Sequence, residues 1–183
     1  MGKVVLGLGM SLDGFIQDRD GSTERLYTDL EGVDFKEQFA DSIRETGAVI
    51  MGKHTYEMFN GDITGYEYQV PLHIVTHEVP EPIAIGENET MKLVFVTDGV
   101  ESAVEKAKAA AGDKNITVVG GADLMQQLLN AGLADELELD LVAVLLGDGL
   151  RLFDHLKNTP IQLEQMKVDQ KPKRTTLRYR IVK

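Results

Sequence analysis

The chain has 183 residues, 43% of them apolar, and a formal net charge of −11 from 19 basic and 30 acidic side chains. That length and composition fit one globular domain with a real core, and the acidic balance excludes a broad nucleic-acid surface, which needs a basic face. With no cysteine, disulfides, thiol nucleophiles and cysteine-ligated metals are excluded. No apolar run nears the ~20 residues of a membrane span, and the N-terminal run is too short and glycine-rich for a secretory signal, so the cytoplasm is the expected location.

In chain order, Val4-Val5-Leu6-Gly7-Leu8 predicts a strand whose end is loosened by Gly7, Gly9 and Gly14. Apolar residues four apart, Phe35, Phe39 and Ile43, predict an amphipathic helix over 33–46, stopped by Gly47 as a C′ glycine. A buried strand follows at 48–51, then a helical turn over 54–59. Strands are expected at 72–76 and 93–96, and loops at 61–68 and 80–90. Asp98 is the expected N-cap of a helix over 101–111, with Ala103, Val104, Ala107 and Ala110 inward and Gly112 at its stop. Ile116 to Val119 predicts a strand ending in Gly120-Gly121. Asp123 then opens a helix with Leu124, Leu128 and Leu129 on one face, ended by Gly132. A long strand is expected over 136–146. Segments 161–169 and 174–182 alternate, Leu177, Tyr179 and Ile181 against Arg178 and Arg180, as an antiparallel pair does. The order predicts a single α/β domain over 1–183: a mixed, mostly parallel sheet with helices on both faces and an antiparallel pair at its C-terminal end.

In such sheets ligands bind beyond the carboxyl ends of the strands. Three of those ends carry groups suited to an anion. Gly52-Lys53-His54-Thr55 follows the strand at 48–51, Thr76-His77 follows the strand at 72–75, and Gly120-Gly121-Ala122-Asp123-Leu124 opens a helix. Bare glycine backbone at a helix start lets a pyrophosphate approach N–H groups at the positive dipole end. Taken singly, a Gly-Gly between strand and helix is as often only a tight turn; convergence at one sheet edge raises the ligand reading. Gly7-x-Gly9 lacks the third glycine and the following helix of a dinucleotide fingerprint.

The segment VIMGKHTYE (49–57) resembles the V-I-M-G-[RK]-x-T-[WY]-E signature of dihydrofolate reductases. SLDG (11–14), VVGGADLMQQLLNAGLADELEL (118–139) and LLGDGLRLF (145–153) are similar to the reductase domain of riboflavin biosynthesis. The resemblance covers nearly the whole chain. It implies the dihydrofolate-reductase-like fold and NADPH as hydride donor. By match, Gly52, Lys53, His54 and Thr55 would hold the 2′-phosphate and pyrophosphate side, Thr76 and His77 the adenosine phosphate, and Gly120 to Leu124 the pyrophosphate. Departures bear on substrate. Val119 stands where riboflavin reductases carry an acid. There is no tryptophan, and no His-x-Glu or cysteine for a zinc deaminase. Asp34, Glu37 and Asp41 are the carboxylates available where folate reductases bind the pterin.

For chemistry, the resemblance makes Asp13 a substrate contact; a turn before Gly14 is its structural alternative. Ser11 is the companion candidate, for the carboxamide or substrate. Gly147 and Gly149 suggest a loop that closes over the site, or a plain strand exit. His73 is expected inside and His155 on the surface, neither with metal-ligand spacing, so no metal is expected. The run 135–140 is expected to be a solvated strand face or a homodimer seam. The readings are an NADPH-dependent reductase of a small heterocyclic or carbonyl-type substrate; a stand-alone 5-amino-6-(5-phosphoribosylamino)uracil reductase; and a non-catalytic nucleotide-binding module.

Overall fold

The computed structural model describes residues 2–30 and 35–183. Among the described residues, ten strands and five α-helices follow one another as the apolar runs require. They are β1 (Val4–Ser11), β2 (Phe15–Asp18), α1 (Phe35–Gln38), α2 (Ala40–Glu45), β3 (Thr46–Gly52), α3 (Lys53–Glu57), β4 (Leu72–Val75) and β5 (Leu93–Val96), followed by α4 (Val100–Ala111), β6 (Asn115–Val118), α5 (Ala122–Asn130), β7 (Glu136–Val142), β8 (Gly149–Arg151), β9 (Leu163–Lys171) and β10 (Arg174–Ile181). Eight strands form one sheet in the order β5-β4-β3-β6-β1-β7-β10-β9. It is parallel from β5 to β7, and β10 and β9 join antiparallel. β2 and β8 form a separate two-stranded ribbon.

The central strands are apolar on both faces because both faces are covered at that point. Ala48 and Ile50 pack with Val4, Leu6, Ile116 and Val118 under α4 and α5. Val49 and Met51, one residue out of phase, pack with Tyr56, Ile63 and Tyr66 on the opposite side. Farther along, the second face loses its apolar cover. On β7, Leu137 and Leu139 enter the core with α5, while Glu136, Glu138 and Asp140 point the other way, as the two-residue period of a strand demands.

Several expectations change. The helix predicted over 33–46 is two short helices interrupted at Phe39; its start, including Asp34, lies outside the described residues. Gly47 follows Thr46, the C-cap of α2, but without the positive φ of a C′ glycine. It is the second residue of β3, where a Cβ would stand 2.6 Å from the Ala111 carbonyl oxygen, so glycine permits close approach of the α4 end. The N-cap of α4 is Gly99, and Asp98 instead accepts from Lys106 at 3.1 Å. The long strand stops at Val142, and the 135–140 run is partly buried on its polar face. It lies between β1 and β10, with Glu136 buried against Lys3 and Arg178. Gly149 pairs with Asp18, and a Cβ there would stand 2.0 Å from the Gln17 carbonyl oxygen. His73 is buried, with no hydrogen-bond partner for its Nδ1; burial pushes its pKa down. His155 is exposed. No helix among the described residues is long and apolar enough to cross a membrane.

Arg174 joins distant parts of this frame. Its guanidinium is buried, donates to both oxygens of Asp29 at 2.8 and 2.9 Å, to Asp140 at 3.2 Å and to the Leu26 carbonyl at 2.6 Å. Burial opposes its charge, but the Asp29 hydrogen bonds and the charges of Asp140 and Asp29 hold its pKa above the usual value. Removing one member of a buried ionic group leaves the others uncompensated, at about 3–5 kcal/mol. Arg174→Met should therefore lower the unfolding free energy by about that amount in urea titrations. Adding Asp29→Leu to the same chain should recover part of the loss.

Candidate functional site

The carboxyl ends of β3 and β6 meet through backbone. The Gly52 N–H donates to the Gly120 carbonyl at 2.9 Å, and a Cβ built on Gly120 would lie 3.3 Å from the Thr55 hydroxyl. The peptide joining Gly120 and Gly121 is cis. Gly120 has φ of 126°, a conformation reserved for glycine, whereas Gly121 is extended and has room beside it. Gly121 is the N-cap of α5, so the N–H groups of the first turn have no partner within the helix.

The other predicted cofactor residues divide by what their side chains do. Ala122 and Leu124 are buried in the core and offer only backbone at the helix start. Asp123 accepts from Gln127 at 2.6 Å. Lys53 and His54 are exposed at the start of α3, Lys53 within 3.6 Å of Glu57. The Thr76 hydroxyl is buried and turned into its own loop, donating to the Glu78 carbonyl at 2.6 Å. His77 is exposed one residue on. Gly52, Thr55, Gly120 and Gly121 are thus brought together; Thr76 and His77 follow the neighbouring strand β4, beside Gly52 in register with Val75.

Ser11 and Asp13 form a turn clamp. The buried Ser11 hydroxyl donates to Asp13 Oδ1 at 2.6 Å and accepts the Phe15 N–H at 2.9 Å. The Leu146 and Gly147 N–H groups donate to the two Asp13 oxygens at 3.1 and 2.8 Å. Ser11 first, then these backbone donors, lower the Asp13 pKa from 3.8 to about 2. A carboxylate so held is ionised at neutral pH, and through those backbone donors Asp13 holds the 146–147 loop at the strand ends.

A cleft of about 810 Å³ opens beside this edge, reaching from Thr55 and Val119 across β6, β1, β7 and β10. Its floor is the polar sheet face: Thr117, Gly7, Glu138 and Thr176 in adjacent strands. Tyr27, Tyr66 and Tyr68 stand around it. Burial pushes Tyr68 up to about 12 and raises Glu138 and Glu67. Glu37 and Asp41 line the same cleft. Inspection of strand ends missed this floor. The alternation in ELELDL and in Arg174, Thr176, Arg178 carried the signal, because acids and cations in phase on neighbouring strands mark one uncovered sheet face.

A sequence model of the RibD C-terminal domain matches residues 2–177. The uncharacterized Bacillus subtilis protein YwjB is 29% identical over 166 residues, 90% of this chain and 91% of its own length. A crystal structure of a candidate riboflavin biosynthesis protein from Shewanella sp. PV-4 superposes with a TM-score of 0.77 at 22% identity, over 99% of each chain. The Thermotoga maritima diaminohydroxyphosphoribosylaminopyrimidine deaminase/5-amino-6-(5-phosphoribosylamino)uracil reductase gives 0.71 at 16% identity, over 99% of this chain and 57% of that one. At such identities the two structures establish the shared fold, the dihydrofolate-reductase-like one.

The clamp has a pH signature. Because the folded Asp13 pKa lies below its ordinary 3.8, its contribution to stability is present above pH 3.8 and is lost as pH falls toward about 2. Thermal melts of Asp13→Asn and wild type should differ near pH 6 and converge across that window. Amide exchange at Leu146 and Gly147 should be faster in the variant.

Proposed function

Since the chain belongs to the family of RibD C-terminal domains, we propose that it is an NADPH-dependent reductase of a small heterocyclic or carbonyl-type substrate, acting in the cytoplasm. The observation that carries the proposal is the junction of Gly52, Thr55, Gly120 and Gly121 with the unpartnered first turn of α5, at the mouth of a large cleft. This junction fits a dinucleotide: the backbone beside Gly121 is bare, and a side chain there would occupy the approach without straining the fold.

When bound, the dinucleotide supplies the hydride. The residues of the chain bind, orient and exclude water. Backbone N–H groups at Gly121 to Leu124 would cradle the pyrophosphate, with Thr55 beside them. Lys53, His54 and His77 would face the 2′-phosphate side, where Lys53 has only a solvent-exposed partner in Glu57 and can exchange it for a phosphate at little cost. Thr76 would shape the His77 turn through its bond to Glu78. Ser11 and Asp13 would act as positioning residues that fix the 146–147 loop over the reacting end, and the proton would come from water or substrate. A homodimer contact is proposed on β9, whose residues are all exposed and include Leu163, Met166 and Val168; analytical ultracentrifugation of Val168→Glu should show monomer where wild type shows dimer.

NADPH should bind at least about tenfold tighter than NADH, roughly 1.4 kcal/mol, by fluorescence titration, and Lys53→Ala should narrow the gap. Gly121→Val should abolish NADPH binding while its far-UV spectrum stays that of the folded protein. Equal affinities for the two dinucleotides, or normal binding by a folded Gly121→Val, would overturn the reading.

A further inference from the structure

The chain has five asparagines, at 60, 88, 115, 130 and 158. Four have their carboxamides engaged. Asn88 donates to Gln69 at 2.8 Å, Asn115 accepts the Lys3 N–H at 3.1 Å, Asn130 accepts the Lys157 N–H at 2.8 Å, and Asn158 donates to the Asn130 carbonyl at 3.0 Å. Asn60 is exposed, and its carboxamide has no hydrogen-bond partner among the described residues. It is also the one asparagine followed by glycine.

The backbone at this pair is as open as the side chain. Asn60 has φ of 51°, the one positive φ at a residue other than glycine among the described residues, and asparagine is one of the few side chains that visit that conformation. Gly61 follows with φ of 84°, and a Cβ built on it would meet nothing within 4 Å. Its carbonyl accepts the Ile85 N–H at 2.9 Å, but its own N–H meets no acceptor among the described residues. An unengaged carboxamide therefore precedes an unengaged, unshielded backbone nitrogen.

That pairing has a chemistry that needs only water. The Gly61 nitrogen gives its proton to hydroxide and attacks Cγ of Asn60. The new N–Cγ bond closes a five-membered ring, the Cγ–Nδ2 bond breaks, and the amide nitrogen takes a proton from water and leaves as ammonia. Water then opens the ring. Cleavage at Cγ gives aspartate, and cleavage at the main-chain carbonyl gives isoaspartate, in which the chain runs through Cγ and is one atom longer.

The turn has no slack for that atom. The Asn60 N–H donates to the Glu57 carbonyl at 3.1 Å, and the Asp62 N–H to the Phe59 carbonyl at 3.2 Å. The Ile63 N–H then donates to the Ile85 carbonyl at 2.9 Å, and a Cβ on Gly86 would stand 2.5 Å from the Thr64 nitrogen. A longer chain between 60 and 61 must disturb either the pairing with Ile85 or the turn after α3. That turn carries Met58 and Phe59 into the cleft wall, where the Phe59 ring meets Tyr66 edge-on at 4.9 Å between centres.

We propose that Asn60–Gly61 is a self-modification site, at which the folded protein loses ammonia to give aspartate and isoaspartate, and that the isoaspartate form loosens the Met58–Phe59 wall of the cleft. The proposal goes beyond the reductase reading and holds whatever the cleft takes.

The test holds folded wild type and Asn60→Gly in mildly alkaline buffer and follows both by peptide mass mapping and ammonia assay. Glycine accepts the positive φ at 60 and has no carboxamide. In wild type, residue 60 should pass from amide to acid at least about tenfold faster than any other asparagine, as two products of equal mass that separate on reversed-phase chromatography. Ammonia released should match the converted fraction, and Asn60→Gly should release little. Amide exchange at Phe59, Ile63 and Ile85 should be faster in the isoaspartate fraction than in fresh Asn60→Asp, which has the new charge without the added atom. Conversion at 60 no faster than at 88, 115, 130 or 158 would overturn the modification site. Equal exchange in the isoaspartate fraction and Asn60→Asp would overturn the effect on the cleft wall.

Discussion

The Arg174 guanidinium ties the last strand of the chain to a segment near its beginning. Its bonds to Asp29 and the Leu26 carbonyl fix residues 24–30 against the sheet, and its bond to Asp140 fixes β10 against β7. Tyr27 is carried on that segment, and its ring lies under the same guanidinium, 5.6 Å from the ring centre. Gly9 admits the ring: a Cβ there would be 3.4 Å from the Tyr27 hydroxyl oxygen. One wall of the cleft therefore depends on a buried cation whose partners come from two separated stretches of chain. Such groups add little net stability compared with apolar packing, but they define which arrangement is reached.

The sheet divides its labour by face. Under α4 and α5 it is a dry core, where Leu6, Ile116, Val118, Leu128 and Leu137 are almost wholly buried. On the other face the cover extends over β3 and β4 and then ends, leaving β6, β1, β7 and β10 to floor the cleft. Polar side chains there are held by one another. Thr46 and Thr117 share a 2.6 Å hydrogen bond, and Glu136 is flanked by Lys3 and Arg178. Burial alone would raise the Glu136 pKa, yet those two partners keep it below its usual value. Glu138 goes the other way, because burial and the charges of Asp140 and Glu45 outweigh Arg178 and Lys167. Neighbouring acids on one strand thus have opposite environments, a structural one and an open one.

The strand ends differ from the cleft in how they treat an anion. At Gly120–Gly121 the chain offers backbone N–H groups and no side-chain bulk, whereas the floor offers carboxylates. The two surfaces meet at Thr55 and Val119. The Ser11–Asp13 clamp lies at the end of β1 and holds the loop after β7, which is thus set by a local turn.

The strand with a continuous apolar run, 48–51, was legible in the sequence because burial on both faces requires such a run, and the α5 face and the β9–β10 alternation were legible for the corresponding periods. The Gly-Gly turn was legible as well, since glycine there answers a backbone demand. The sequence by itself thus determined the element order, the sheet class and the family. Tertiary structure alone decided the rest. The helix expected from Phe35, Phe39 and Ile43 breaks into two short pieces, and the β2–β8 ribbon pairs residues more than a hundred apart with no local period to announce it. Asp13 became a clamp, and Glu138 and Asp140 part of a cleft floor, once β7 was set between β1 and β10. Local pattern records which side of an element avoids water. It does not record what stands opposite, and the charge environment of Glu138, Arg174 and Asp13 is made entirely by groups brought there from elsewhere in the chain.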